Sequence, residues 1–422
     1  MREMKNSGFS WLGEIPKNWS MQRVKHGFTR KNEKAMRENP VILSLARTGV
    51  KVRDISNNEG QIAESYFNYN PVEPGDLLLN PMDLYSGANC SVSNVSGVIS
   101  PAYINLKSKD GINPFFYDYY FKVQYWMMAF FSYGKGVSFD NRWTLNAETL
   151  MNYPIVALPY DEQCKIADYL DKKCSKIDAI IKKQQAVIEN LKAYKLSVIT
   201  EVVTKGLNPN AEMKDSEIEW IGVIPVHWSL CKLKYVTEIM RGKFNHRPRN
   251  DPKYYDGKYP FVQTGDVARA SKFIETYSQT LNELGYSVSK EFPKGSICMT
   301  IAANVGDVAV LNFDACFPDS VVGFVPAEET HWNYLYYVLS AMKQQFTRNA
   351  IISTQLNLNI EIIKEEFIPI VVYQEQLDIA QYLDNKCSAI ENSILRKKDI
   401  IEKLTAYKKS LIFEVVTGKK EV

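Results

Sequence analysis

The sequence predicts an α+β protein. Two similar α+β domains are separated by two long α-helices that pair as an antiparallel coiled coil, and the whole is an internal repeat with pseudo-two-fold symmetry. Three observations predict this. A 45-residue segment returns 213 positions later with 25 identities, a shorter motif returns 209 positions later, and the longer repeat carries a heptad seam.

Residues 1–20 read as a polar arm with Trp11, Ile15 and Trp19. Trp11-Leu-Gly-Glu-Ile-Pro16 and Trp19-Ser20 are echoed by Trp220-Ile-Gly-Val-Ile-Pro225 and Trp228-Ser229, and Lys25 coincides with Lys234. No apolar run early in the chain suits a signal peptide, and no stretch approaches the roughly 20 apolar residues of a membrane span. Seven cysteines without a CxxC pair, together with four histidines, predict reduced thiols in a cytoplasmic protein with no structural metal. The net charge of +3 is nearly balanced, so any nucleic-acid footprint must be local.

The first domain is set at residues 1–158. Val41–Leu45, Asp76–Leu79 and Gly97–Ser100 read as strands, and Phe115–Phe131 reads as a buried helix. Its candidate DNA contacts are Arg47, Thr48, Lys51 and Arg53, then Lys135 and Arg142, in polar turns that follow strands. Arg suits guanine and phosphate through its planar fork of donors.

Residues 159–206 form the first long helix. Leu170, Cys174, Ile177, Ile181, Gln184, Ile188, Leu191, Lys195, Val198 and Val202 alternate spacings of 4 and 3, the a/d seam of a coiled coil. No proline interrupts the run, and Gly206 is a stop signal. A helix of about 44 residues spans about 66 Å, so its apolar stripe needs a long partner, and its own copy is the nearest.

The second domain is set at residues 207–372. Tyr259–Gln263, Ser296–Thr300 and Val308–Leu311 read as strands and Trp332–Phe346 as the matching helix. Candidate DNA contacts are Arg247 and Arg249, Gln263, Thr264 and Arg269, and Arg348 with Asn349, Gln and Asn being suited to adenine. Residues 373–422 form the last helix. Its seam is Leu383, Cys387, Ile390, Ile394, Lys397, Ile401, Leu404, Lys408, Leu411 and Val415, polar at the same two places, with Gly418 as its stop.

Gly13-Glu-Ile-Pro16 with Trp19 resembles the start of target-recognition domains in the specificity subunits of type I restriction-modification systems. So does Pro154-Ile-Val-Ala-Leu-Pro159-Tyr-Asp-Glu162-Gln163, with Ile166-Ala-Asp-Tyr-Leu170-Asp171 leading into a long helix. Pro369-Ile-Val-Val-Tyr-Gln-Glu375-Gln376 repeats the pattern without its second proline. Leu43–Val50 and Pro260–Val267 are similar to strand-loop motifs of these domains. The resemblance implies a subunit that reads an asymmetric, two-part site in double-stranded DNA and scaffolds two methyltransferase subunits. Nuclease-translocase subunits join through the complex. Adenine methylation from S-adenosylmethionine then belongs to the partners, and this chain needs no cofactor of its own.

The residues themselves point away from catalysis. Asn80-Pro81-Met82-Asp83 lacks the aromatic residue of an adenine-methyltransferase turn, Pro318-Asp319 with Glu328-Glu329 lacks the lysine of a nuclease cluster, and no Gly-Lys-Ser/Thr occurs. A coiled-coil adaptor without DNA affinity leaves two large, divergent domains unexplained.

Overall fold

The computed structural model describes residues 2–55, 63–82, 84, 89–136, 143–244, 250–352 and 356–422, apart from the side chains of 351, 352, 356 and 357. The chain forms two compact units, Met1–Gln184 with Asp399–Val422, and Gln185–Lys398.

In the first unit the opening residues are not a polar arm. Met4–Asn6 and Glu14–Pro16 pair antiparallel as a hairpin, and Leu12, Ile15 and Trp19 are buried in the main core. The apolar side chains at these three positions draw the segment in, since each buried large side chain contributes about 1.5–3 kcal/mol. Ser20–Arg23 pairs with Pro154–Ala157, bringing the start of the domain to the root of the long helix. The main sheet runs in the order Phe28–Lys31, Ile104–Ser108, Leu77–Leu79, Cys90–Val92. Leu77, Leu78 and Leu79 are all buried, one face on the main core and Leu78 in a satellite core with Leu43, Leu45, Val72 and Ile99.

The helix predicted over Phe115–Phe131 is Pro114–Trp126, capped by Asn113, whose side chain accepts from the Phe115 amide. It stops early because Met128 turns left-handed at φ 57° and folds Phe130 back into the core. There the Phe130 ring meets Tyr125 edge-on at 4.9 Å and Tyr153 at 4.7 Å.

The second unit repeats this plan. Met213–Asp215 pairs with Val223–Pro225, and Ser229–Lys232 with Phe367–Ile370. Its main sheet runs Thr237–Arg241, Val321–Pro326, Ile297–Thr300, Val308–Leu311, the order of the first unit, then adds Phe273–Ile274 parallel on the edge. A second sheet joins Gln279–Leu281, Tyr255–Phe261, Ala315–Cys316 and Glu291–Phe292. The helix predicted over Trp332–Phe346 is two helices, Trp332–Ala341 and Lys343–Asn349. Met342, at ψ 0°, breaks it, and both Met342 and Phe346 are thereby fully buried.

The long helices are Tyr160–Lys205 and Tyr373–Val416. In the first unit Lys408 pairs with Asp178 at 2.6 Å, while Ile166 and Val415 line one pocket. In the second unit Lys195 pairs with Glu391, while Gly206 lies against the Glu375 side chain. In each unit an advance along one helix is a retreat along the other, so the pairing is antiparallel. Under the 213-residue offset, Asp178 corresponds to Glu391 and Lys195 to Lys408, so the two ion pairs are one pair repeated. Every seam position is buried or half-buried, the polar Gln184, Lys195, Lys397 and Lys408 included. Gly206 and Gly418 end the helices at φ 74° and 72°, the left-handed conformation that glycine supplies at least cost.

Candidate nucleic-acid interface

Each α+β domain is tied to its helix by the opening motif. The Trp19 indole donates to Glu162 at 3.1 Å, and Trp228 donates to Glu375 at 3.0 Å. Gln163 and Gln376 act as paired clamps. Gln163 accepts from the Asn113 amide at 2.8 Å and donates to the carbonyls of Gly111 and Leu158, and Gln376 does the same with His331, Glu329 and Val371. Both glutamines are buried and satisfied, which makes them rigid joints. The elements the joints hold, and not the joints themselves, differ between the copies.

In the first domain Leu43–Ala46 and Gly49–Val52 form a hairpin whose two-residue turn is Arg47-Thr48, and both turn residues are exposed. Gly49, at φ 112°, allows the tight return. Leu43 and Leu45 anchor the hairpin in the satellite core, so the turn stands on a rigid base. Lys51 is exposed opposite Ser44, and Arg53 is half-buried with its amide bonded to the Ile42 carbonyl at 2.8 Å. Lys135 is exposed and pairs through its backbone with Thr144. Arg142 lies outside the described residues, as do Arg247 and Arg249 of the second domain.

In the second domain the strand Tyr255–Phe261 runs into the short helix Thr264–Arg269 through Gln263. Asp266 organises this corner. Its buried carboxylate accepts from the Gln263 amide at 2.8 Å and the Ser278 hydroxyl at 3.2 Å, and pairs with Arg269. The Gln263 side chain reaches Gln279 on the neighbouring strand. Thr264 is half-buried beside them, and the Arg269 side chain is 69% exposed. Arg348 and Asn349 are placed elsewhere. Arg348 pairs with Glu219 at 2.8 Å beside Leu196 and Thr200 of the central helix, and Asn349 bonds Glu366.

A basic group in the first domain escaped the sequence reading. Lys31 bonds Asp76 at 2.8 Å and Glu73 at 3.1 Å, and Lys34 bonds Asn70 at 3.2 Å. Glu73 is held below its usual range first by Lys31, with further attraction from Lys107 and Arg37. The run Arg30-Lys31…Lys34…Arg37 was the available signal. Gln279 and Ser278 had none, because the fold alone brings them to Gln263 and Asp266.

In the motifs weighed for catalysis, Asn80 and Asp319 take part in local turns. The Asn80 side chain accepts from the Met82 amide at 3.0 Å, its carbonyl accepts from the Tyr125 hydroxyl at 2.6 Å, and Pro81 accepts from Leu145. Asp83 lies outside the described residues. The Asp319 carbonyl accepts from Arg241 in a turn closed by the Val321 amide on Pro318. Among the described residues no group of three metal-ligating side chains gathers, and no helix is long and apolar enough to cross a membrane.

Comparison with known proteins adds the following. Residues 225–403 match the family model of the type I restriction modification DNA specificity domain. The MjaX specificity subunit of Methanocaldococcus jannaschii is 24% identical, with 97% of this chain and 95% of that protein covered. The type I restriction enzyme MjaVIII specificity subunit of the same organism is also 24% identical, covering 82% and 80%. A chain solved in work on complex assembly and conformational transition of the type I R-M system shares the fold at TM-score 0.70. It is 14% identical, with 96% of this chain and 99% of that chain covered.

Proposed function

We propose that this chain is a specificity subunit of a type I restriction-modification system, and that as such it reads a two-part, asymmetric site in double-stranded DNA and scaffolds two adenine methyltransferase subunits. Such subunits are non-catalytic. In this reading the partners carry N6-adenine methylation and, through restriction subunits, ATP-dependent cleavage, all in the cytoplasm.

The observation that carries the reading is one frame holding two different readers. The same sheet order, tryptophan anchor and glutamine clamp recur, while the first domain presents the Arg47-Thr48 turn and the second the Gln263–Arg269 corner. Paired hydrogen bonds from such side chains to base edges supply about 1–3 kcal/mol of discrimination each. The exposed Lys34, Arg37 and Lys107 suit phosphates, which orient a protein on DNA without reading it.

A second exposed stripe supports the scaffold. On the central helix Ile180, Val187 and Tyr194 stand seven residues apart and exposed, and the C-terminal helix repeats the last two as Ile400 and Tyr407. Apolar residues at heptad spacing on a solvated face suit a helical partner, and repetition suits two copies of it.

The test is selection of duplexes from a randomised library by the full chain with its methyltransferase. Two short fixed blocks separated by an unread spacer of constant length are expected. A single block, or no enrichment at all, would refute the two-reader assignment.

A further inference from the structure

Lys272 lies three residues after the Gln263–Arg269 corner, and no lysine among the described residues of the first unit is ringed by as many aromatic side chains. Its ammonium pairs with Asp384 of the C-terminal helix and lies 5.1–5.6 Å from the ring centres of Phe273, Trp332, Tyr336 and Tyr337. Asp384 also accepts from the Tyr337 hydroxyl at 2.6 Å and from the Asn333 amide at 2.7 Å. The backbone is held as well, with the Lys272 carbonyl accepting from Val310 at 2.8 Å and Ser271 from the Tyr336 hydroxyl at 3.4 Å. A cation ringed by aromatic faces and closed by a carboxylate is a strong, directional tether. The equivalent Asp171 takes the Tyr119 hydroxyl at 2.7 Å and, among the described residues, no lysine. In the first unit Lys122 pairs within its own helix, with Asp118.

We propose that Lys272 is a positioning residue that locks the Gln263–Arg269 reading corner to the C-terminal helix through Asp384, so that base discrimination by the second domain, and not the first, depends on this tether. The inference rests on the assignment of that corner to base reading. Short linkage makes the mechanism direct. With Ser271 and Lys272 fixed, Ala270 and the end of the helix Thr264–Arg269 have little freedom, and small displacements cost base-edge hydrogen bonds their geometry.

The experiment compares Lys272→Met, Lys272→Arg, Asp384→Asn and Gln263→Ala by library selection with the full chain in its methyltransferase complex, using randomised duplexes as probe. Lys272→Met should lower the preference for the best base at one half-site about tenfold and leave the other unchanged, with Lys272→Arg restoring most of it. A purely structural role would instead lower overall affinity equally for both half-sites, and that result overturns the proposal. If Lys272→Met does not fold, Asp384→Asn carries the same test, since it keeps the side chain's shape while removing the charge. Loss of discrimination in Gln263→Ala with none in either tether variant overturns the tether alone. No loss in Gln263→Ala overturns the reading assignment and the tether with it.

Discussion

Lys31 illustrates how one side chain can carry a pH dependence. Burial alone would depress its amine, but hydrogen bonds and attraction from Asp76 and Glu73 outweigh that and raise it. Glu73 is correspondingly lowered from 4.5 by Lys31. A lowered carboxyl stabilises the fold above its unfolded range and loses that contribution as pH falls through its folded value. A raised amine contributes below its unfolded range and loses that as pH rises through its folded value. The difference in Tm between wild type and Lys31→Met should therefore be constant near neutrality and shrink as pH drops below about 4.5. A difference that stays constant into acid would mean Glu73 is not lowered. Arg47→Ala and Arg269→Ala should each weaken binding by about 1–3 kcal/mol at one half-site if they reach guanine. Arg269→Ala carries a second effect, because it strips a partner from buried Asp266. Equal losses on all sequences would make both phosphate contacts.

Among elements, the long helices depend on their seams and their stops. Ile394 is buried and Ile181 half-buried, so replacing both with Asp places two unpaired carboxylates in the seam at a cost of several kcal/mol. Affinity for the full site should fall toward that for a half-site, and an unchanged full-site affinity would show that pairing is not needed for reading. Gly418→Ala should be more damaging than Gly8→Ala. Both glycines have positive φ, worth about 1–2 kcal/mol, but only at Gly418 would a Cβ meet a neighbour, Pro16 Cγ at 2.3 Å. Equal Tm losses in the two variants would deny that close approach. Tyr194→Asp with Tyr407→Asp should reduce capture of the methyltransferase while leaving the melting curve nearly unchanged, because both side chains are about half exposed.

For the whole molecule, the repeat predicts modular behaviour. Exchanging residues 230–366 for the matching segment of another specificity subunit should change one fixed block of the selected site and leave the other block as it was. Altered bases in both blocks would mean the readers are not independent. The purified chain alone should neither methylate nor cleave DNA, and methyl transfer from S-adenosylmethionine by the isolated chain would overturn the proposed division of labour.

Much of this was legible in sequence because it is periodic or local. The seam from Leu170 to Val202 follows a 3.5-residue period that only a helix satisfies, and Gly206 and Gly418 mark the C-terminal ends of the two long helices by their freedom to turn left-handed. The duplicated Trp19 and Trp228 motifs announced two copies of one unit. What each motif does was not local. Burial of Leu12, Ile15 and Trp19 turned a segment read as a polar arm into a core hairpin, and packing of Phe130 cut one predicted helix short while a break at Met342 divided the other, because tertiary burial of a large side chain outweighs the small gain from one more helical turn. The common sheet order of two domains with little shared sequence, the meeting of Gln263 with Gln279, and the enclosure of Lys272 by Asp384 and four rings all join residues distant along the chain. Sequence spacing carries no information about such meetings. They were decided by the tertiary structure, where close packing leaves each side chain only the neighbours that the whole fold provides.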